Sequence, residues 1–126
     1  MYFDMFMVAC GGALGALLRY IITMLVYGDK MPSFPYGTLI VNLLGCLCIG
    51  LVTGYFVENP SLPMYLKLFI VTGLLGGLTT FSTFSVETFN LFYQNPWYAC
   101  LNIGISIIAG LALIALGIQT AKTILA

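Results

Sequence analysis

Residues 73–87, GLLGGLTTFSTFSVE, decide the fold of this chain. They lie within a hydrophobic segment of membrane grade, yet carry Gly73, Gly76 and Gly77 and the hydroxyls of Thr79, Thr80, Ser82, Thr83 and Ser85. Phe81 and Phe84 are threaded between those hydroxyls. A helix in lipid needs none of this to be stable. Glycine pairs loosen it, and hydroxyls need partners where little water is at hand to supply them. The pattern predicts an interior that wants backbone carbonyls, hydroxyls and ring edges at one depth.

The rest of the composition agrees. The chain has 126 residues, 61% hydrophobic and 6% charged, against about 25% charged in an ordinary soluble domain. Four Lys/Arg balance four Asp/Glu, which leaves no basic patch for nucleic acid. No long polar region could house a soluble catalytic domain, so the expectation is a single small membrane domain over residues 1–126, not an enzyme, with no soluble partner implied. Histidine is absent, and with it the commonest metal ligand and general base. Cys10, Cys46, Cys48 and Cys100 all fall in apolar stretches. They read as small buried hydrophobes rather than a disulfide framework or a metal site. The first apolar stretch lacks a basic leader and a small-residue cleavage site, and reads as a retained span.

A span needs about 20 mostly apolar residues, and the chain supplies four such stretches, at residues 5–27, 34–57, 63–92 and 97–121. Turn residues separate them: 28–33 (GDKMPS), 58–61 (ENPS) and 94–96 (QNP). Tyr2, Tyr27, Tyr55, Tyr65, Tyr93, Trp97 and Tyr98 fall near the ends, as interfacial aromatics do. The fold class is an all-α membrane protein of four antiparallel transmembrane helices. Residues 63–92 make 30 residues, about 45 Å of helix against a hydrocarbon core of about 30 Å. Tilt absorbs part of the excess. A break near Gly76 to Thr80 absorbs it better and turns carbonyls inward, as at the broken helices of transport proteins.

The charges barely orient the chain. Lys67 and Lys122 fall on one side and Lys30, with Arg19, on the other, almost no positive-inside bias. Either something unseen holds the protein one way round, or copies insert both ways and pair antiparallel.

Each remaining span carries one small or polar stripe: Gly11, Gly12, Gly15 and Arg19; Thr38, Asn42 and Gly45; Asn102, Ser106 and Gly110. Close packing accounts for glycines alone. It accounts less well for Asn42 and Asn102, whose carboxamides bring donors and acceptors that all need partners in hydrocarbon. Arg19, deep in the first span, either snorkels to the interface or lines an anion-attracting vestibule. Glu87 is placed to partner Arg19 or to shape that vestibule. As a catalytic base it lacks a nucleophile, a second carboxylate or a metal cluster. Phe81 and Phe84, three apart, share a face. They are either core packing or rings whose positive edges, beside hydroxyl and amide donors, offer a stepping surface for a small anion.

On these residues the chain resembles the small double-barrelled fluoride channels of the CrcB/Fluc family, over essentially its whole length. GGALGALLRY (11–20), GTLIVNLLGC (37–46) and above all GGLTTFSTFSVE (76–87) carry the resemblance. It implies an antiparallel, dual-topology homodimer in a bacterial plasma (inner) membrane, a multi-pass protein. Two fluoride pores and a central structural sodium ion come with it. The sodium would sit on the backbone carbonyls of Gly76 and Thr79. Phe81 and Phe84 match the family's pore phenylalanines and Asn42 its pore asparagine. Thr38, Ser82 and Ser106 match the polar lining, and Arg19 a vestibule arginine. Asn102 and Gly110 stand where some members carry tyrosine and serine, so the fourth-helix track departs from the pattern.

The function so implied is passive, selective export of cytoplasmic fluoride. A narrow path rejects chloride by size while donors replace fluoride's hydration shell. A proton-coupled transporter would instead need a titratable residue on the path, and Glu87 and Arg19 are the candidates. A small multidrug exporter-like dimer would need a mid-membrane glutamate in the first helix, where this chain has Arg19. A purely structural subunit would carry no flux.

Overall fold

The computed structural model describes residues 1–28 and 33–125; the expected turn at Asp29, Lys30, Met31 and Pro32 lies outside the described residues. Among the described residues all the regular structure is helical: α1 (Tyr2–Tyr27), α2 (Tyr36–Glu58), α3 (Met64–Lys67), a π-helical stretch (Leu68–Leu75), α4 (Gly76–Leu78), α5 (Phe81–Gln94) and α6 (Pro96–Leu125). Four segments are long and apolar enough to cross a bilayer, Tyr2–Tyr27, Tyr36–Glu58, Met64–Gln94 and Pro96–Ile124. They make the chain a multi-pass inner-membrane protein. Only 11–22% of the apolar window in each span is buried inside the chain. The outer surface is therefore built for lipid or for another protein, not for water.

Punctuation is local and physical. Gly28 ends α1 at φ 53°, a region that a residue with a Cβ enters at a cost. Pro63 precedes α3 in an extended conformation. Asn95 ends α5, and its side-chain Oδ1 accepts from the Trp97 backbone N–H at 3.0 Å. Pro96 then takes the first position of α6, where its missing N–H costs nothing.

Glycine decides how closely the rods approach. A Cβ on Gly11 or Gly15 would run into the backbone of Phe69 and Leu74 on the π-helical stretch. One on Gly77 would stand 2.6 Å from the Gly12 carbonyl oxygen. Gly50 and Gly117 seat α2 against α6 in the same way. Close backbone contact of this kind replaces the hydrophobic driving force that is absent between helices in lipid. The core itself is small: Val41, Leu75 and Leu78 in one cluster, and Phe34, Leu91 and Ala99 in another.

The third crossing is broken, at the expected place. Thr79 (φ −76°, ψ 154°) and Thr80 (φ −148°, ψ 116°) are extended, halfway along the 31-residue span Met64–Gln94. The π-helical stretch before it has no counterpart in the sequence pattern, because periodicity does not separate π from α over eight residues. Its signature is the Gly76 N–H donating to the Val71 carbonyl, five residues back. The four cysteines are free thiols. The expectation of burial is corrected for Cys100, which is exposed, and softened for Cys10, Cys46 and Cys48, which are half-buried. A thiol among lipid tails needs no protein cover.

Candidate functional site

The break would leave a broken row of backbone groups in the middle of a membrane, and the sequence supplies partners for them. In a continuous helix the Thr80 N–H would donate to Gly76 O and the Thr83 N–H to Thr79 O. Here Thr80 N–H donates to Asn42 Oδ1 at 2.8 Å, and Asn42 Nδ2 returns a bond to Thr80 O at 3.2 Å. Thr83 N–H donates to Thr80 Oγ1 at 3.2 Å, the N-cap of α5. Thr80 Oγ1 also donates to Thr83 Oγ1 at 3.0 Å and stands 3.4 Å from Ser82 Oγ. One carboxamide from α2 and one threonine hydroxyl hold the break open.

The consequence falls on the carbonyls at the break, those of Gly76, Gly77, Leu78 and Thr79, which lose their helical amides. The amides that Gly76 O and Thr79 O would receive are committed to Asn42 and Thr80. Thr79 O instead accepts from Arg19 Nη1 at 3.4 Å, a cation at the negative end of a helix. Gly76 has open space around it: a Cβ there would meet nothing closer than Val71 O at 3.6 Å. The Thr79 side chain is tied back, its Oγ1 donating to Leu75 O at 2.9 Å and its methyl seated where Gly45 lacks a Cβ. Among the described residues no group of His, Cys, Asp and Glu could hold a metal. A cation here would rest on main-chain oxygens, a donor set suited to hard ions, and the released carbonyls, Gly76 O and Thr79 O among them, fit it.

Around the break lies an open groove of about 420 Å³ between α2, α5 and α6, walled by Asn42, Gly45, Cys46, Thr79, Thr80, Phe81, Phe84 and Ser106, with Gly76 at its edge. Phe81 and Phe84 stand 5.9 Å apart, their planes tilted by 40°. Phe81 is 81% exposed in the single chain, so its cover comes from outside it. The Ser106 hydroxyl is buried and has no hydrogen-bond partner among the described residues.

The sequence candidates thus divide. Asn42, Phe81, Phe84, Ser106, Gly76 and Thr79 meet at one groove. Ser82 is exposed beside Thr80. Thr38 and Glu87 meet elsewhere, Thr38 Oγ1 donating to Glu87 Oε1 at 2.9 Å. Nearby the Tyr27 hydroxyl accepts from the Gly37 N–H at 3.0 Å. Arg19 and Glu87 are not partners: Arg19 serves Thr79 O and Glu87 serves Thr38. Asn102 is off the groove, 1% exposed, donating from Nδ2 to Thr88 Oγ1 at 2.8 Å. Two residues outside the sequence candidates hold partners here: Thr80, which the sequence marks only as part of the hydroxyl run and the break, and Thr88. Thr80 had a signal, a hydroxyl three residues before Thr83 at a helix start; Thr88 had none.

The chain is similar to known proteins over most of its length. Residues 6–118 match the model of the family described as CrcB-like protein, Camphor Resistance (CrcB). A protein of Geobacter sp. (strain M21) named fluoride-specific ion channel FluC is 46% identical over 118 residues, 93% of this chain and 95% of that one. One of the same name from Flavobacterium psychrophilum is 42% identical over the same shares. Another from Haemophilus influenzae (strain PittGG) is 47% identical over 90 residues, 71% of this chain and 70% of its own. With the family model covering most of its length and several such relatives aligned almost end to end, the chain belongs to the CrcB/FluC family of ion channels, which are not enzymes.

Proposed function

We propose that the protein is a passive, selective fluoride channel that relieves cytoplasmic fluoride, working as an antiparallel, dual-topology homodimer with two pores. The observation that carries this is the half-built groove: Phe81 and Phe84 stand beside Asn42 and an unsatisfied Ser106 hydroxyl, open on the side where Phe81 is uncovered. A second copy related by a two-fold axis would close both grooves at once and give equivalent pores. The FluC relatives, named for fluoride, support the choice of anion.

In this reading the Arg19 guanidinium, held on Thr79 O at the inner end of the vestibule, makes the potential positive, and fluoride sheds water as it reaches the groove. Ring edges of Phe81 and Phe84 then meet it, with the Asn42 N–H left over from the Thr80 clamp and the hydroxyls of Ser106 and Ser82, while Thr38, away from the groove with its hydroxyl donating to Glu87, lines the approach. Glu87, accepting from Thr38, shapes the vestibule wall. Gly76 and Thr79 would hold a structural sodium ion through their carbonyls, two from each copy. When bound, it supplies the positive charge that stabilises carbonyl dipoles in a dry interface. Thr79 O accepting from Arg19 leaves its second lone pair for that role.

A second reading, proton-coupled transport, draws on one observation: Glu87 Oε2 is buried without a hydrogen-bond partner among the described residues. Fluoride efflux from liposomes, with and without an imposed pH gradient, separates the two. The channel reading expects equal initial rates in wild type and retained flux in Glu87→Gln. Flux that needs the gradient and disappears in Glu87→Gln would establish coupling instead.

A further inference from the structure

Helix α5 carries the rings, yet little of the chain holds it in place. Its N-terminus hangs on the Asn42–Thr80 clamp, and its far end on the packing of Leu91 against Phe34 and Ala99. Between these lie two bonds side by side: Thr38 Oγ1 to Glu87 Oε1 at 2.9 Å, part-buried, and Asn102 Nδ2 to Thr88 Oγ1 at 2.8 Å, with Thr88 5% and Asn102 1% exposed. The spacing gives the second bond its meaning. Residues 81, 84, 88 and 91 follow i, i+3, i+7 and i+10 and therefore form one stripe of α5. The C-terminal half of the stripe, Thr88 and Leu91, is buried. Its N-terminal half, Phe81 and Phe84, opens on the groove. On α6, Asn102 and Ser106 are four apart on one face. Ser106 reaches the groove while Asn102 stops short of it at Thr88.

We propose that the Asn102–Thr88 pair is a positioning device: it fixes the rotation of α5 about its axis and so sets where Phe81 and Phe84 stand against Ser106 and Asn42. Asn102 acts through Thr88 and does not touch the anion. A directional hydrogen bond suits this role better than an apolar contact. Leu or Val at both sites would fill the space but let the helix turn, whereas a buried bond with no competing water has one geometry. A rotation of one residue, about 100°, would carry the rings off the groove; a far smaller one would spoil a fit made to a small anion.

The inference rests on the fluoride-channel reading, and its test keeps the two apart. Purified wild type, Thr88→Ser, Thr88→Val and the exchange Thr88→Asn with Asn102→Thr are compared in liposomes for fluoride efflux and for the fluoride-to-chloride rate ratio. Each is first required to elute as wild type. Thr88→Val keeps the shape and removes the acceptor; it should lose about tenfold in fluoride rate, the rate equivalent of one buried hydrogen bond, and discriminate less well against chloride. Thr88→Ser keeps the acceptor and should stay within about twofold of wild type, well under one hydrogen bond's worth of rate. The exchange, which rebuilds the pair with donor and acceptor swapped, should recover part of the loss. An assembled Thr88→Val protein with wild-type rate and ratio overturns the inference. So does failure of both Thr88→Val and Asn102→Ala to assemble, which would make the pair a folding contact only. Absence of fluoride flux in wild type would instead strike the channel reading.

Discussion

Asn42 is the residue on which the site turns. The sequence marks it as a carboxamide in hydrocarbon that needs partners, and in that sense its importance is legible. Its partner is not, because Thr80 lies 38 residues away and its main chain is available only when the helix breaks. Replacing Asn42 by Asp puts a carboxylate oxygen where Nδ2 faces Thr80 O, so two acceptors meet. The clamp should lose about 1–3 kcal/mol, and fluoride flux should fall further than in either ring variant. The rings themselves separate by chemistry from packing. If they only filled space, Phe81→Ile or Phe84→Ile would cost about 1.5 kcal/mol at most and leave flux nearly intact in assembled protein. The ring-edge account expects a strong loss of fluoride efflux from dimers that elute normally, read with an ion-selective electrode.

At the scale of elements, the third crossing shows what a sequence can and cannot disclose. Thirty residues of span announce a break, and the glycine and threonine run places it; Thr79 and Thr80 are where it occurs. The π-helical stretch of Leu68–Leu75 stays hidden, since its side chains are those of any membrane-spanning helix. The glycines of α1 read as a packing stripe, and Gly11 and Gly15 are that, pressed on the backbone of the broken rod. Gly76 differs, with nothing in its own chain within 3.5 Å of where a Cβ would stand. Two substitutions therefore separate inside from outside. Gly15→Val should unfold or deplete the monomer, because it forces backbone apart by overpacking that costs about 1–3 kcal/mol or more. Gly76→Val should fold as a single chain and fail to pair, seen as a shift from dimer to monomer on size-exclusion chromatography in detergent. A Gly76→Val protein that stays dimeric would place the pairing face, and the proposed sodium site with it, elsewhere.

For the whole molecule, weak charge bias and an uncovered groove are the two features that support the proposed antiparallel pairing. Lys67 and Lys122 on one side face Lys30 and Arg19 on the other, almost no positive-inside bias, and the proposed pairing takes copies inserted both ways. Tags at either terminus should accordingly be accessible from both sides of one membrane. Two or three extra lysines in one connection should lock each copy one way and abolish function when that variant is expressed alone. The fourth-helix polar track was the least legible part: Ser106 and Asn102 share a face in sequence, but only Ser106 reaches the groove, because Thr88 intercepts Asn102. The central claim, that this fold conducts fluoride and rejects chloride without an energy source, is tested most directly by anion efflux from liposomes containing the purified wild-type protein alone. The account predicts rapid fluoride release, dependent on protein and saturating at the fraction of liposomes that contain a dimer, with chloride retained. Fluoride retained as well as in protein-free liposomes, or chloride released at the same rate, would contradict it.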